Sequence, residues 1–178
     1  FVDLCHAPMG EELFNAHFAD RLADPVPDGM ELYVHESDVS VDRGDDQWRK
    51  ILHARFASVA HLVPRGFRWI VEGPVWALDG ELFGLGRGRQ IDRVLVERLV
   101  TLATDLGAWA VNIHAVDGTD DPTVVNAASR TRAIDRAVPF LTWYVQTCRN
   151  AGVVPLIENV PPICRMRREA FVFTPYGV

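Results

Sequence analysis

Cysteine and long apolar runs are both scarce in this sequence. Its 178 residues include three cysteines, Cys5, Cys148 and Cys164, with no Cys-x-x-Cys spacing. An odd number of widely spaced cysteines predicts neither a disulfide framework nor a zinc ribbon, and it fits a reducing cytoplasm. No apolar run approaches the roughly 18 residues that span a bilayer, and the first residues do not resemble a signal peptide. The sequence therefore predicts a cytoplasmic protein that does not insert into a membrane.

An excess of positive charge is absent as well. The chain has 18 lysines and arginines against 24 aspartates and glutamates, which gives a formal net charge of -6. Its isoelectric point is near 5.5. Such a balance lacks the electrostatic footprint of a protein that wraps nucleic acid. A local basic face, such as Arg165, Arg167 and Arg168, is left open, but nucleic acid is disfavoured as the partner.

A phosphate-binding glycine loop is a third missing feature. Gly84, Gly86 and Gly88 follow a Gly-x-Gly-x-Gly spacing with no strand pattern directly before them. The segment also lacks the lysine and the hydroxyl residue of a phosphate-binding loop, so we do not predict nucleotide binding there. The surrounding residues are predicted to form a long strand-to-helix loop, in which Trp76 and Phe83 are candidates for the wall of a pocket.

The main pattern that is present is an alternation of strand-like and helix-like segments. With 48% hydrophobic and 24% charged residues, the chain has the composition of one soluble globular domain. Apolar segments that stop at polar residues predict strands at residues 1–6, 30–36, 67–72, 109–114 and 153–158. Apolar spacings of three and four predict helices at residues 47–61, 91–106 and 129–151. Gly107 and Gly152 stand where helix C-caps belong.

This order of segments favours parallel α/β units over a helical bundle or a β-sandwich. We predict a single α/β domain over residues 1–178, a TIM-type (β/α) barrel of which about five strand-helix units are present. The apolar start at Phe1 and the close at residues 175–178, where another element would begin, predict an incomplete barrel.

Ionisable side chains end most of the predicted strands. They are His6, Glu36 with His35 beside it, Glu72, His114 and Glu158. In a parallel barrel every strand runs the same way, so these residues would gather at one rim, where barrel active sites lie. Imidazole and carboxylate groups together suit divalent zinc, manganese, iron or cobalt. The pattern therefore predicts a divalent-metal site at that rim.

Each strand-end residue also has a simpler explanation. A charge after a buried run can be the first solvated residue, and a histidine can be structural. Glu158 is followed by Asn159 and by the unusual pair Pro161-Pro162, which favours a functional role. His114 ends a similarly apolar run, and Glu72 precedes a Gly-Pro pair. Both observations also favour functional roles for these residues.

The second predicted strand leaves two choices open. Neighbouring residues of a strand face opposite sides of the sheet, so His35 and Glu36 cannot both point inward. One face would carry Glu31, Tyr33 and His35, and the other would carry Leu32, Val34 and Glu36. Either set could line the barrel.

Two short motifs resemble a known group of proteins. Asn112-Ile113-His114 is followed one unit later by Pro155-Leu156-Ile157-Glu158-Asn159. This arrangement resembles the xylose-isomerase-like TIM-barrel superfamily, which holds sugar isomerases, epimerases and dehydratases and endonuclease IV type apurinic endonucleases. A strand with a His-bearing motif is followed there by a strand ending in Leu-Glu-Asn, whose glutamate binds metal. The resemblance implies that Glu158 is a metal ligand and that His114 is a metal ligand or a substrate contact.

Two further segments extend the resemblance. Met30-Glu31-Leu32, preceded by Gly29, is similar to a Gly-x-Glu-Leu strand of the superfamily. The segment from Val71 to Trp76 is similar to its strand-end His-x-Pro motif, but Glu72 stands where histidine is usual. That departure removes one expected ligand of a multinuclear zinc cluster. It argues against an apurinic endonuclease and favours a single-metal sugar site.

The resemblance implies a metal-dependent isomerase or epimerase that acts on a sugar or related polyhydroxy carbonyl compound. The implied cofactor is a divalent ion of Mn, Zn, Mg or Co. Because both are carboxylates at strand ends, Glu158 and Glu72 are predicted to be the proton-transferring residues. The predicted substrate contacts, which lie at or near predicted strand ends, are His6, His35, Trp76 and Asn159. A full barrel has eight strands in about 250 residues, so the chain would be the N-terminal portion of one. Many members of the superfamily assemble as dimers or tetramers, so a homo-oligomer is left open.

Two other functions stay open at this point. One is a non-catalytic or degenerate barrel that binds a ligand, which the departure at Glu72 and the missing strands would explain. The other, least favoured because of the acidic net charge, is a zinc-dependent apurinic endonuclease.

Overall fold

The computed structural model describes residues 3–5, 11–23, 26–40, 44, 46–114 and 127–158. Within these ranges, five β-strands alternate with four α-helices. The strands are β1 (Asp3–Cys5), β2 (Gly29–Tyr33), β3 (Arg68–Glu72), β4 (Ala110–His114) and β5 (Val154–Glu158). The helices are α1 (Glu11–Arg21), α2 (Gln47–Val59), α3 (Gln90–Leu106) and α4 (Ala127–Asn150). The α/β class predicted from the alternation is confirmed.

The strands of the described chain form one parallel sheet in the order β1-β2-β3-β4-β5. Each crossover therefore advances by one strand in the same direction. Because crossovers between parallel strands are right-handed, a sheet wound in one direction receives its helices on the same face. A doubly wound sheet would need a reversal of direction, and the described strands contain none.

The hydrophobic core lies between this face of the sheet and the helices. The strands contribute the side chains of one face of the sheet, namely Met30, Leu32, Val71, Val111 and Ile113. Residues from every described helix join the same cluster, among them Phe18, Leu52, Leu99 and Phe140. Separately, no helix within the described residues is long and apolar enough to cross a membrane.

Helix α3 shows how the local sequence produces the fold. Its apolar residues recur every three or four positions, so Leu95, Leu99 and Leu102 are all buried against the sheet. The helix ends at Gly107, which has a φ of 63° and whose N–H donates to the carbonyls of Ala103 and Thr104. This left-handed conformation favours glycine, and the predicted cap is confirmed. Gly152, with a φ of 74°, confirms the second predicted cap.

The loop after β2 differs from the prediction. The strand ends at Tyr33 and does not continue to residue 36. His35 instead precedes a 3-10 helix, Glu36–Val39, and its Nδ1 accepts a hydrogen bond from the N–H of Ser37 at 3.2 Å. The strand pattern was extended too far because alternation alone does not reveal a capping side chain.

Two other features were missed. Helix α1 was not predicted, because its sequence carries few apolar residues at helical spacing; Phe18 is its buried residue among those whose side chains are described. Phe83 was expected in a pocket wall, but it is a core residue with 1% exposure, and its ring lies 5.7 Å from that of Phe140.

A buried arginine connects the loop after β2 to helix α3. The Arg98 guanidinium donates from Nη1 to the carbonyls of Val39 at 2.6 Å and Ser40 at 2.8 Å. The same group lies over the ring of Trp48, 5.5 Å from its centroid. On the other side of the loop, the buried Asp38 pairs with Arg55. The loop is therefore anchored to both neighbouring helices.

Candidate metal centre

The face of the sheet opposite the helices carries polar side chains near the C-terminal ends of the strands. The strand register pairs Glu72 with Asn112 and His114 with Glu158, and it aligns Glu31 with Ile70. Partners in register on parallel strands point the same way, and residues two apart share a face. Glu31, Glu72, Asn112, His114 and Glu158 therefore share the face that the helices do not cover.

Three of these residues form a compact cluster. Glu72, His114 and Glu158 each offer one ligand atom, and these atoms lie within 4.8 Å of one another. His114 Nε2 lies 3.1 Å from Glu72 Oε1 and 3.8 Å from Glu158 Oε2. The side chain of His114 is 7% exposed and that of Glu72 is 13% exposed, whereas that of Glu158 is 40% exposed. The cluster is therefore shielded from solvent at β3 and β4 and open to solvent at β5.

The backbone around Glu72 explains how its carboxylate is placed. The N–H of Val34 donates to the Glu72 carbonyl at 2.9 Å, and the N–H of Gly73 donates to the Asn112 carbonyl at 2.9 Å. Both neighbouring strands thus hold the end of β3. Gly73 also permits a close approach of α3, because a Cβ built on it would lie 2.6 Å from Leu99 Cδ1.

We expect Gly73→Ala to reduce the free energy of unfolding by about 1–3 kcal/mol, because the new methyl group overpacks a filled core. Urea unfolding measures this change. Gly44→Ala is the matched control, since nothing lies within 4 Å of a Cβ at that position. In a Leu99→Ala background the cost of Gly73→Ala should largely disappear. An equal cost in both backgrounds would contradict the steric explanation.

Helix α4 supports the strands that bear His114 and Glu158. The Tyr144 hydroxyl lies 2.7 Å from the carbonyl of Val111 and 3.1 Å from that of Leu156, and it accepts from the N–H of Leu156 at 3.3 Å. Tyr144 is fully buried, and this burial raises the pKa of its phenol. The hydroxyl therefore remains a neutral donor that bridges the backbones of β4 and β5.

Asn112 connects the cluster to Glu31. Its Nδ2 donates to Glu31 Oε1 at 2.9 Å and to Glu158 Oε2 at 3.2 Å. An amide nitrogen carries two hydrogens, so each carboxylate can receive one of them. Hydrogen bonds to ionised acceptors are the stronger kind, and this pair fixes the orientation of the Glu158 carboxylate.

Two buried atoms of this face lack a hydrogen-bond partner among the described residues. They are Asn112 Oδ1 and His114 Nδ1. Both residues are 6% exposed. An unpaired buried polar group costs about 1–3 kcal/mol, so a hydrogen-bond partner for either atom would stabilise the site.

The donor set fits a divalent metal. Ligand atoms about 2.0–2.2 Å from one ion lie within about 4.4 Å of each other, which is close to the spread of the cluster. Two carboxylates and an imidazole suit zinc, manganese or cobalt. Three protein ligands also leave coordination positions open, as catalytic sites require. Three acidic groups, those of Glu31, Glu72 and Glu158, lie on one face. A bound cation would offset the repulsion between their negative charges.

The structure brings together Glu72, His114 and Glu158, which the sequence analysis named as site residues. His35 contacts Ser37 and Glu36 instead, and Trp76 forms an isolated bridge with Leu82 in the loop after β3. Their roles as substrate contacts stay predictions. His6 and Asn159 lie outside the described residues.

Sequence reasoning left Glu31 open and did not select Asn112. A polar residue at the centre of the apolar strand β4, two positions before His114, was the available signal for Asn112. For Glu31 the signal was its spacing in β2, where Leu32 and Val34 alternate with it.

Comparison with known proteins adds no assignment: no protein-family model matches the chain, and no curated protein is significantly similar to it. The site therefore carries the functional argument by its own chemistry.

Proposed function

We propose that this chain provides the metal-binding part of an isomerase or epimerase that acts on a sugar or related polyhydroxy carbonyl compound by proton transfer. The observation that carries the proposal is the cluster of Glu72, His114 and Glu158, whose ligand atoms lie within 4.8 Å of one another. A metal site with two carboxylates next to an open side suits chemistry in which a proton is moved beside a carbonyl group.

We also propose that the five parallel strands belong to a (β/α)8 barrel, of which this chain is the N-terminal portion. The one-directional strand order supports this, as does the single hydrophobic cluster shared by all the described helices. Closing such a sheet turns the polar face inward, with its strand ends at the rim where barrel active sites lie. A homo-oligomer stays open, and the cytoplasmic location stays a prediction.

In the proposed mechanism the residues have separate roles. His114 and Glu158, with Glu72, would hold the ion, which supplies polarisation of a carbonyl oxygen when bound. Glu158 or Glu72 takes a proton from the carbon beside the carbonyl. In an isomerase the same carboxylate returns this proton to the former carbonyl carbon, while the hydroxyl proton moves from the neighbouring oxygen to the former carbonyl oxygen. In an epimerase the other carboxylate delivers a proton to the opposite face of the same carbon. Glu72 is the more enclosed carboxylate, so less water competes for its oxygens. Asn112 fixes the orientation of Glu158.

Solvent exchange tests this proposal. The chain is loaded with Mn²⁺ or Co²⁺ and incubated in D₂O with a panel of aldoses and ketoses, and NMR follows deuterium entering the carbon beside the carbonyl. We expect exchange with at least one sugar and a loss of at least about 100-fold in Glu158→Gln. Exchange that persists without metal would contradict the mechanism. Tight metal binding without exchange of any sugar would be the result expected of the non-catalytic binding protein, or of a catalytic site that the remaining strands of the barrel complete.

A further inference from the structure

The orientation of the Asn112 amide leaves its oxygen without a hydrogen-bond partner among the described residues. Both Nδ2 hydrogens are directed at carboxylates, one at Glu31 and one at Glu158. The reversed amide would place Oδ1 against the same two carboxylates and lose both charge-assisted hydrogen bonds. The observed orientation is therefore strongly preferred. It leaves Oδ1 buried with no donor among the described residues.

A hydrogen-bonding partner of this oxygen must be a donor, because an amide oxygen only accepts hydrogen bonds. The neighbouring Glu31 and Glu158 are acceptors when ionised, so neither can fill this place. The acidic surroundings exclude an anionic ligand, and a divalent ion at the cluster would repel an ammonium group. A neutral O–H group, of a ligand or of water, satisfies all of these conditions.

A second unpartnered atom on the same strand is consistent with a hydroxyl. His114 lies two residues after Asn112, so both side chains share a face of β4. Its Nδ1 is also buried without a partner among the described residues. When Nε2 binds a metal ion at the cluster, Nδ1 carries the hydrogen and can donate it. A hydroxyl group can both donate and accept a hydrogen bond. It therefore suits an acceptor such as Asn112 Oδ1 and a donor such as a protonated His114 Nδ1 on the same face.

We propose that Asn112 Oδ1 is a hydroxyl-binding subsite, which accepts a hydrogen bond from a hydroxyl group of a polyhydroxy ligand held beside the Glu72–His114–Glu158 cluster. The inference rests on the proposed function, because it assigns a ligand contact to the same site. It also goes further, since it names a residue that recognises hydroxyl groups without contacting the reacting carbons.

Titration with xylitol, a linear polyol, tests the subsite. Calorimetry measures the xylitol affinity of the full chain while Co²⁺ saturates it, so that changes in metal affinity do not enter. We expect Asn112→Ala to weaken xylitol binding at least about tenfold. Gln146→Ala is the matched control, because it truncates an amide that is exposed and bonded to Asn150 on α4. Its xylitol affinity should equal that of the unmodified chain.

A second variant protects the test against a folding defect in Asn112→Ala. Glu31→Ala removes one of the two acceptors that orient the amide, so it should also weaken xylitol binding while Co²⁺ still binds. Circular dichroism shows whether each variant is folded. Unchanged xylitol affinity in every folded variant overturns the subsite.

The outcomes for the unmodified chain separate the two proposals. If it binds Co²⁺ but no xylitol up to about 0.1 M, the subsite is wrong and the metal site stands. If it binds no Co²⁺, the proposed function fails, and the titration is repeated on the metal-free chain. Xylitol binding that Asn112→Ala abolishes would then support the subsite, and absence of binding would overturn it.

Discussion

Replacing Glu158 with alanine is expected to weaken Co²⁺ binding by more than about 100-fold, because Glu158 is proposed to be a direct ligand and not merely a residue that orients one. Calorimetric titration of the purified chain measures the affinity, and the visible absorption of Co²⁺ reports its coordination. The remaining Glu72 and His114 would offer two protein ligands, too few for a stable site. Zn²⁺ and Mn²⁺ should show the same loss.

Glu81→Ala is the matched control for this experiment. Glu81 is also a carboxylate, but its side chain is 64% exposed and pairs with Arg87 and Arg89 in the loop after β3. We expect its removal to leave Co²⁺ affinity unchanged. Equal losses in both variants would show non-specific binding to acidic groups. Stoichiometric binding that survives in Glu158→Ala would place the metal elsewhere.

Arg98→Met is expected to lower the free energy of unfolding by about 2–3 kcal/mol. The substitution keeps an apolar stem but removes the donors for the carbonyls of Val39 and Ser40. The Val39 carbonyl would then be left buried without that partner, while the loss of a buried charge offsets part of the cost. Urea denaturation with a circular dichroism signal measures the change.

Arg93→Met provides the comparison within the same helix. Arg93 also lies over a tryptophan, 4.8 Å from the ring centroid of Trp143, but it is only half-buried. Loss of a partly exposed cation–π contact should cost about 0.5–1 kcal/mol. If the two variants were equally stable, the carbonyl contacts of Arg98 would contribute nothing measurable to the loop after β2.

The fold and the candidate site are linked at the backbone of β3 and β4. Gly73 lets α3 pack closely, and its N–H bonds the carbonyl of Asn112, whose side chain orients Glu158. Substitutions in the core beneath the sheet are therefore expected to affect metal affinity through the position of β3. The proposed hydroxyl subsite depends on the same strand pairing.

Local periodicity was sufficient to predict most elements of this protein. Strands β3, β4 and β5 and helices α3 and α4 begin and end within about two residues of the predicted bounds, because hydrophobic spacing is a property of neighbouring residues. The gathering of Glu72, His114 and Glu158 was also predictable. Parallel strands end at the same edge, so a residue that ends one strand lies near those that end its neighbours.

The tertiary structure alone decided the rest. Alternation could not say which face of β2 meets the helices; the packing of Leu32 and Val34 in the core turned Glu31 toward the site. Asn112 contacts Glu31 across 81 positions of sequence and Glu158 across 46. Phe83 became a core residue because α4 brought Phe140 against it. Such contacts depend on strand register and helix packing, which no local pattern of residues encodes.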